Sequence, residues 1–137
     1  MRRPPIVYLA TALAFAVLDA VWLGVVATDF YRGEIGSLML ATPRWVPAIL
    51  FYLMYVAMVV GFVIAPSAGQ AGVGRVLMRG AAFGLACYGT YDLTNLATLT
   101  AWTTRMAIVD TLWGMSATAI AAAVGHRVAR RTGSVSA

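Results

Sequence analysis

Three of the five acidic residues in this 137-residue chain, Asp19, Asp92 and Asp110, lie inside stretches that are otherwise long and apolar. A carboxylate at the centre of a lipid bilayer costs about 2.5–3.5 kcal/mol even on lenient insertion scales. Helices that carry such residues therefore turn them toward one another or toward a cavity rather than toward lipid. These three positions constrain how the chain can fold more than any other feature of the sequence.

Four apolar runs are each long enough to cross the hydrocarbon core of a bilayer, which takes roughly 20 residues of helix. Hydrophobic residues make up 61% of the chain, and its mean hydropathy is +0.82. Backbone polar groups in lipid must bond within their own segment, so each run is expected to be a helix. The predicted spans cover residues 6–27, 46–65, 76–101 and 106–125. We therefore predict an all-α polytopic membrane protein, a bundle of four transmembrane helices.

The connections between the spans are too short to hold a second domain, so we predict a single transmembrane domain over residues 1–131 and a disordered tail over 132–137. The longest connection, residues 28–45, mixes apolar and charged side chains. It is expected to lie as a short amphipathic element on the outer surface, where it caps the bundle. The turn at 102–105 is tight, so the third and fourth spans should be antiparallel neighbours.

The basic residues are all arginines, and they lie at span ends and in loops. With the N-terminus in the cytoplasm, seven arginines fall inside and three outside, which is the bias that the positive-inside rule requires. Both termini are therefore predicted to be cytoplasmic. Although Arg2 and Arg3 precede an apolar run, that run is long, contains Asp19 and has no Ala-x-Ala cleavage signal, so we interpret it as a retained helix. The arginine distribution favours anionic membrane lipids, not nucleic acid, as the partner of the positive charge.

Depth and helical spacing place the polar residues in one region. Counted at about 1.5 Å per residue, all three aspartates fall in the outer half of the membrane. Side chains three or four positions apart share one helix face, and these faces should point inward. The candidate catalytic residues are Asp92, Asp19 and Asp110, and the candidate substrate-binding residues are Asn95, Tyr88, Tyr91, Trp22, Trp113, Tyr52 and Tyr55. The predicted pocket opens to the outside and has an aliphatic floor.

Such a pocket suits the binding or modification of a hydrophobic or lipid-like small molecule. Asp92 and Asp19 would form the acid–base pair, one protonated and one ionised, while Asn95 and a tyrosine position the substrate. Whether chemistry occurs stays open. No cofactor is predicted, although three carboxylates could hold a divalent cation as an alternative. Zinc and non-haem iron are not favoured, because the only histidine, His126, lies beyond the cytoplasmic end of the fourth span.

Two other functions fit the same residues. A proton-coupled transporter, acting as a homodimer, would exchange protons for a hydrophobic cation that the aromatic rings attract. A membrane assembly or accessory protein would use the aspartates only to hold its helices together. Replacement of Asp92 by Asn separates these hypotheses, because it keeps the shape of the side chain and removes its charge.

Three shorter features bear on packing. Gly80-x-x-x-Gly84 would allow a close helix crossing at the cytoplasmic end. Cys87, the only cysteine, is interpreted as a small packing residue. Asp-Ala-Val-Trp at 19–22 resembles Asp-Thr-Leu-Trp at 110–113, and chance is the leading explanation for a match of this length.

The run Tyr-Asp-Leu-Thr-Asn-Leu-Ala-Thr-Leu at 91–99 resembles the hallmark of a family of small bacterial inner-membrane proteins known only as a domain of unknown function. The similarity extends to Leu-Asp-Ala-Val-Trp-Leu-Gly at 18–24, Phe-Tyr at 30–31, Phe-Tyr-Leu at 51–53 and Val-Asp-Thr-Leu-Trp-Gly at 109–114. It covers about residues 6–125. The resemblance implies four membrane spans in a bacterial inner membrane and carries no activity.

Overall fold

The computed structural model describes residues 3–67 and 72–133, and those residues form five α-helices and no strand. The helices are α1 (Pro4–Val21), α2 (Thr28–Ile35), α3 (Trp45–Val59), α4 (Val73–Thr98) and α5 (Thr104–Arg131). A π turn, Trp22–Val26, continues α1, and another, Val60–Ile64, continues α3. Most of the tail predicted at 132–137 and part of the turn between the second and third spans lie outside the described residues.

Three helical segments of the described chain are long and apolar enough to cross a membrane, namely Pro4–Val26, Trp45–Ser67 and Thr104–Arg131. They coincide with the first, second and fourth predicted spans. The helix at the third predicted span, α4, has 26 residues and is about 39 Å long at 1.5 Å per residue. It is less apolar because charged and amide side chains interrupt it. The all-α class and the membrane-spanning helices are therefore confirmed, whereas the crossing by α4 stays a prediction.

The centre of the bundle is α5, whose buried face consists mainly of glycine, alanine and threonine. A methyl group on Gly80 of α4 would lie 2.8 Å from the Cα atom of Ala119, and one on Gly84 would collide with the Gly114 carbonyl. The close helix crossing predicted from Gly80-x-x-x-Gly84 is thus present, and it brings the backbones of α4 and α5 into contact. Small residues allow this approach because they leave room between the two helices. Close packing of this kind stabilises helix pairs in a membrane, where apolar side chains gain little from leaving lipid.

The short helix α2 covers one end of the bundle, which we call the α2 end. The Thr103 hydroxyl donates a hydrogen bond to Glu34, and an Arg105 nitrogen lies 3.4 Å from the same carboxylate. The Arg105 guanidinium also lies 5.2 Å from the ring centroid of Phe30. These contacts fasten α2 to the start of α5. The amphipathic element expected in the first connection is therefore formed, and it caps the bundle.

The opposite end is less aliphatic than the sequence suggested. Val7, Phe15, Val59 and Ile64 are buried there with the alanines of α5. His126, however, lies within α5 and is 1% exposed, rather than beyond the end of the helix. The expectation that it lies past the last span is wrong, because α5 runs on to Arg131.

Candidate functional site

A cavity of about 640 Å³ lies among α1, α3, α4 and α5 beneath α2. The polar and aromatic side chains that line it are Asp19, Trp22, Tyr31, Phe51, Tyr55, Cys87, Tyr88, Tyr91, Asp110 and Trp113. The aliphatic side chains that line it are Leu23, Ile35, Met39, Met54 and Met106. Every helix of the described chain contributes at least one residue to this wall.

Asp19 binds α1 to two other helices. Its side chain is 7% exposed, and both carboxylate oxygens accept hydrogen bonds. The Trp113 indole N–H donates to Oδ1 over 3.1 Å, and the Tyr52 hydroxyl donates to Oδ2. A buried carboxylate is tolerated only when such donors replace water. Tyr52 does not line the cavity, so its predicted role in substrate binding becomes one of holding Asp19.

Asp110 receives its donor from α2. The Tyr31 hydroxyl donates to Oδ1 over 2.5 Å, and the Trp22 indole N–H donates to the Tyr31 oxygen over 2.8 Å. Burial, and then the hydrogen bond to Asp110, raise the pKa of the Tyr31 phenol above its usual range. The phenol therefore stays protonated and remains a donor. Trp22 reaches Asp110 through this relay.

The two Asp-x-x-Trp sequences contact each other across the cavity wall. The rings of Trp22 and Trp113 stack with centroids 4.4 Å apart and planes inclined by 4°. Trp113, three residues after Asp110 in its own motif, donates to Asp19 of the other motif. Trp22 of the first motif donates through Tyr31 toward Asp110 of the second. The two similar sequences therefore lie in contact, directly from Trp113 to Asp19 and through Tyr31 from Trp22 to Asp110.

Asp92 lies behind the cavity wall and is fully buried. The Thr111 hydroxyl donates to its Oδ2 over 3.1 Å. Its Oδ1 and the indole nitrogen of Trp102 are both buried without a hydrogen-bond partner among the described residues. Its one hydrogen-bond donor among these residues therefore comes from the residue that follows Asp110, whereas Asp19 is held by Trp113 and Tyr52. The pairing of Asp92 with Asp19 as acid and base stays a prediction.

Of the remaining candidate residues, Tyr55, Tyr88 and Tyr91 line the cavity and Asn95 does not. The Tyr55 hydroxyl shares a 2.7 Å hydrogen bond with Thr118. Tyr88 packs its ring against Gly114 and Tyr55, and its hydroxyl has no hydrogen-bond partner within 3–67 or 72–133. Tyr91 is half-exposed. Asn95 is partly buried and lies outside the cavity wall, so its predicted contact with substrate is not seen.

Residues 5–127 of the chain match the family described as "Predicted membrane protein (DUF2177)". The chain belongs to the DUF2177 family. The match confirms that the chain belongs to a membrane-protein family of unknown function, and its span includes the three aspartates and the whole cavity wall. No curated protein and no solved structure matches the chain. Membership of DUF2177 establishes a membrane protein of unknown function.

The charged side chains in the cavity wall of this DUF2177 member are all acidic. Its wall contains two carboxyl groups, Asp19 and Asp110, and no Lys, Arg or His among the residues that the structure describes. Within the same residues, no three His, Cys, Asp or Glu side chains converge in a group that could hold a metal ion. The alternative in which three carboxylates share a divalent cation therefore does not fit the geometry, because Asp19 and Asp92 are held by different partners.

Sequence reasoning missed Tyr31 and Thr111, together with the aliphatic wall of the cavity. Tyr31 lies 79 positions before Asp110, and only its presence in the Phe-Tyr pair of the family resemblance could have drawn attention to it. Thr111 follows Asp110 directly and donates to Asp92, and its place in the run at 109–114 was the only sequence signal for it. Cys87, interpreted from the sequence as a packing residue, also lines the cavity.

Proposed function

We propose that this DUF2177 member is a four-span protein of the bacterial inner membrane, with both termini in the cytoplasm and the α2 end on the outer side. The less apolar α4 packs closely along α5, and its 26 residues exceed the roughly 20 that a crossing needs. Its acidic residue, Asp92, faces the bundle interior, where the cost of the charge is lowest. The excess of arginines on the inner side supports the same topology.

Accessibility of introduced cysteines tests this topology. In a Cys87→Ser background, Ser37→Cys lies between α1 and α3, and Thr132→Cys follows α5. We expect a water-soluble maleimide to label position 37 in spheroplasts and to label position 132 only after permeabilisation. Labelling of both positions before permeabilisation would mean that α4 does not cross.

The cavity then serves to bind a hydrophobic or lipid-like small molecule. The observation that supports this function is an apolar cavity of about 640 Å³ with the carboxyl groups of Asp19 and Asp110 in its wall. Small-molecule sites are typically about 300–1,000 Å³, mostly apolar, with a few polar groups that orient the ligand. Hydrocarbon would fill the apolar part, while Asp110 and the free hydroxyl of Tyr88 would contact a polar group.

Lipids that co-purify with the protein provide the test. Wild type, Asp110→Asn and Asp29→Asn would be extracted in polymer-bounded nanodiscs, and their lipids compared by mass spectrometry. Asp29 is an exposed acid on α2, so its replacement changes the charge equally and leaves the cavity intact. We expect one species to be enriched with wild type and Asp29→Asn and to be lost with Asp110→Asn. Equal lipid content in all three would show that this site binds no such molecule.

A second candidate function adds proton transfer to binding, and the full burial of Asp92 favours it, because its Oδ1 has no hydrogen-bond partner among the described residues. A carboxyl group held away from water with an oxygen left unpaired is suited to hold a proton. Such a group could pass the proton to a bound molecule as an acid–base catalyst, or exchange it for a hydrophobic cation. A lipid product made in cells with wild type and absent with Asp92→Asn would identify the enzyme. Cation-driven proton release from proteoliposomes would identify the transporter.

A further inference from the structure

We propose that the ligand enters the cavity sideways from the bilayer, between α3 and α4, and that it is a lipid with an uncharged or cationic polar group that donates a hydrogen bond. This inference rests on the proposed binding function, since it concerns the same cavity. It replaces the opening toward the aqueous phase that the sequence suggested.

An opening lies between α3 and α4 because these helices separate toward the α2 end. Over Trp45–Val59, α3 packs against α1, and it approaches α4 closely only through the π turn Val60–Ile64. Phe51, Met54 and Tyr91 all line the cavity, yet they are 37%, 59% and 52% exposed. Side chains that line a cavity and are also exposed on the flank of a membrane-crossing helix mark an opening toward lipid.

Contacts cross two of the other routes into the cavity. Toward the end opposite α2, the Tyr55 ring lies 6.0 Å from those of Phe83 and Tyr88. Between α1 and α3, the hydrogen bond from Tyr52 to Asp19 joins the helices. No such contact is seen between the parts of α3 and α4 that carry Phe51, Met54 and Tyr91 among the described residues.

The α2 end is covered by α2. Tyr31 and Ile35 of α2 form part of the cavity wall. Tyr31 is bonded to Asp110, and Glu34 is bonded to Thr103 at the start of α5. A water-soluble ligand arriving from this side would have to displace α2, whereas a lipid already in the membrane would not.

The polar groups of the wall define the class of lipid. Asp19 accepts hydrogen bonds on both oxygens, whereas Asp110 accepts one from Tyr31 on Oδ1 only. The second oxygen of Asp110 therefore favours a ligand that donates a hydrogen bond, such as an alcohol or an amine. Because the wall holds carboxyl groups and no cationic side chain among the described residues, a phosphate or sulfate group would be repelled.

The apolar wall contributes little to selectivity. A hydrocarbon chain that moves from bilayer to cavity exchanges one apolar environment for another, so the hydrophobic effect gives no net gain. Hydrogen bonds to Asp110 and Tyr88 are stronger in the low dielectric of the cavity than they would be in water. Lipids with the same chain should therefore bind according to the polar group that they carry.

Quenching of tryptophan fluorescence tests both the route by which the ligand enters and the class of lipid that binds. The variant Trp45→Phe/Trp102→Phe keeps only the stacked pair Trp22 and Trp113, both in the cavity wall. In phosphatidylcholine vesicles, we expect a dibrominated long-chain alcohol to quench this pair at least twofold more than the dibrominated alkyl sulfate of equal chain length. Acrylamide, added from water, should quench less than the alcohol. Equal quenching by alcohol and sulfate would overturn the ligand class, and stronger quenching by acrylamide would overturn the route.

Two methionines on α3 provide a matched test of where the opening lies. Met54 lies at the rim, whereas Met58 is exposed on the same helix and does not line the cavity. Added to the two-tryptophan variant, Met54→Phe should reduce quenching by the alcohol at least twofold, and Met58→Phe should leave it unchanged. Equal effects of the two substitutions would place the opening elsewhere.

A measurement on the wild-type chain keeps the proposal testable if the tryptophan variant does not fold. Cys87, the only cysteine, lines the cavity from α4. A membrane-soluble alkyl maleimide should modify it at least tenfold faster than a charged maleimide, and the reverse order would overturn the route. A co-purified lipid lost in Asp110→Asn, combined with faster modification by the charged reagent, would retain the binding function and reject lateral access alone.

Discussion

Trp22 and Trp113 stack face to face, although they belong to helices that begin 100 positions apart. Each indole N–H is directed toward the aspartate of the other Asp-x-x-Trp sequence, directly in the case of Trp113 and through Tyr31 in the case of Trp22. The stack thereby joins the Asp19 and Asp110 groups into one network across α1, α2, α3 and α5. In a membrane, where apolar contacts gain little, such polar and aromatic contacts specify how helices pair.

The tryptophan pair should show energetic coupling. Replacement of Trp113 by Phe removes a donor from buried Asp19, which costs about 1–3 kcal/mol when a buried polar group loses its partner. Stacking of the two rings should add a coupling of about 0.5–1.5 kcal/mol between Trp22→Ala and Trp113→Ala. Unfolding in mixed detergent–SDS micelles, followed by circular dichroism, measures both quantities. Strict additivity of the two alanine substitutions would show that the stack stabilises nothing.

The crossing of α4 and α5 should not tolerate a methyl group. Gly84→Ala would drive a Cβ atom into the Gly114 carbonyl, and we expect it to lower the free energy of unfolding by about 1–3 kcal/mol. Gly74→Ala on the same helix has open space around its Cβ position and should be neutral or stabilising by up to about 1 kcal/mol. Comparison of the two in the same unfolding assay is decisive. Equal stability of both variants would mean that the helices are not in backbone contact.

Replacement of Asp92 by Asn should separate function from folding. The amide can still accept from Thr111, so the free energy of unfolding should change by no more than about 1 kcal/mol. The variant holds no proton to transfer, so any lipid product or proton-coupled uptake should be lost. Cellular lipid profiles and the unfolding assay measure the two effects. A destabilised variant with an unchanged lipid profile would indicate that Asp92 only holds the helices together.

The contacts that attach α2 to α5 should contribute little to the free energy of unfolding and should affect only the region around α2. Arg105 is 73% exposed in its ion pair with Glu34, and exposed pairs contribute at most about 1 kcal/mol. Arg105→Ala should therefore leave global stability nearly unchanged and raise amide hydrogen exchange across residues 28–38. Arg32→Ala, at an exposed position of α2 itself, serves as the control and should leave exchange unchanged. Equal exchange in both variants would show that Arg105 does not hold α2 in place.

Much of the architecture could be predicted because it follows from local properties. Hydropathy and length located α1, α3 and α5, and the Gly80–Gly84 spacing indicated the α4–α5 crossing. Depth along each helix predicted that Asp19, Asp92 and Asp110 lie toward one end of the bundle, and the structure brings Asp19 and Asp110 into one cavity wall. The hydrogen-bond donor to each aspartate could not be predicted from depth. Tyr31 donates to Asp110 and Tyr52 donates to Asp19, and each tyrosine lies far from its aspartate in the sequence.

By itself, the sequence determined that this protein spans a membrane and that its aspartates lie inside the helix bundle. Both conclusions rest on the free energy of placing a charge or an open backbone group in lipid, which is the same in any fold. Only the tertiary structure decided that Thr111 donates to Asp92, that α2 covers the cavity and that the two Asp-x-x-Trp sequences contact each other. These features depend on how each helix is tilted and rotated, and that is set by packing between residues far apart in sequence.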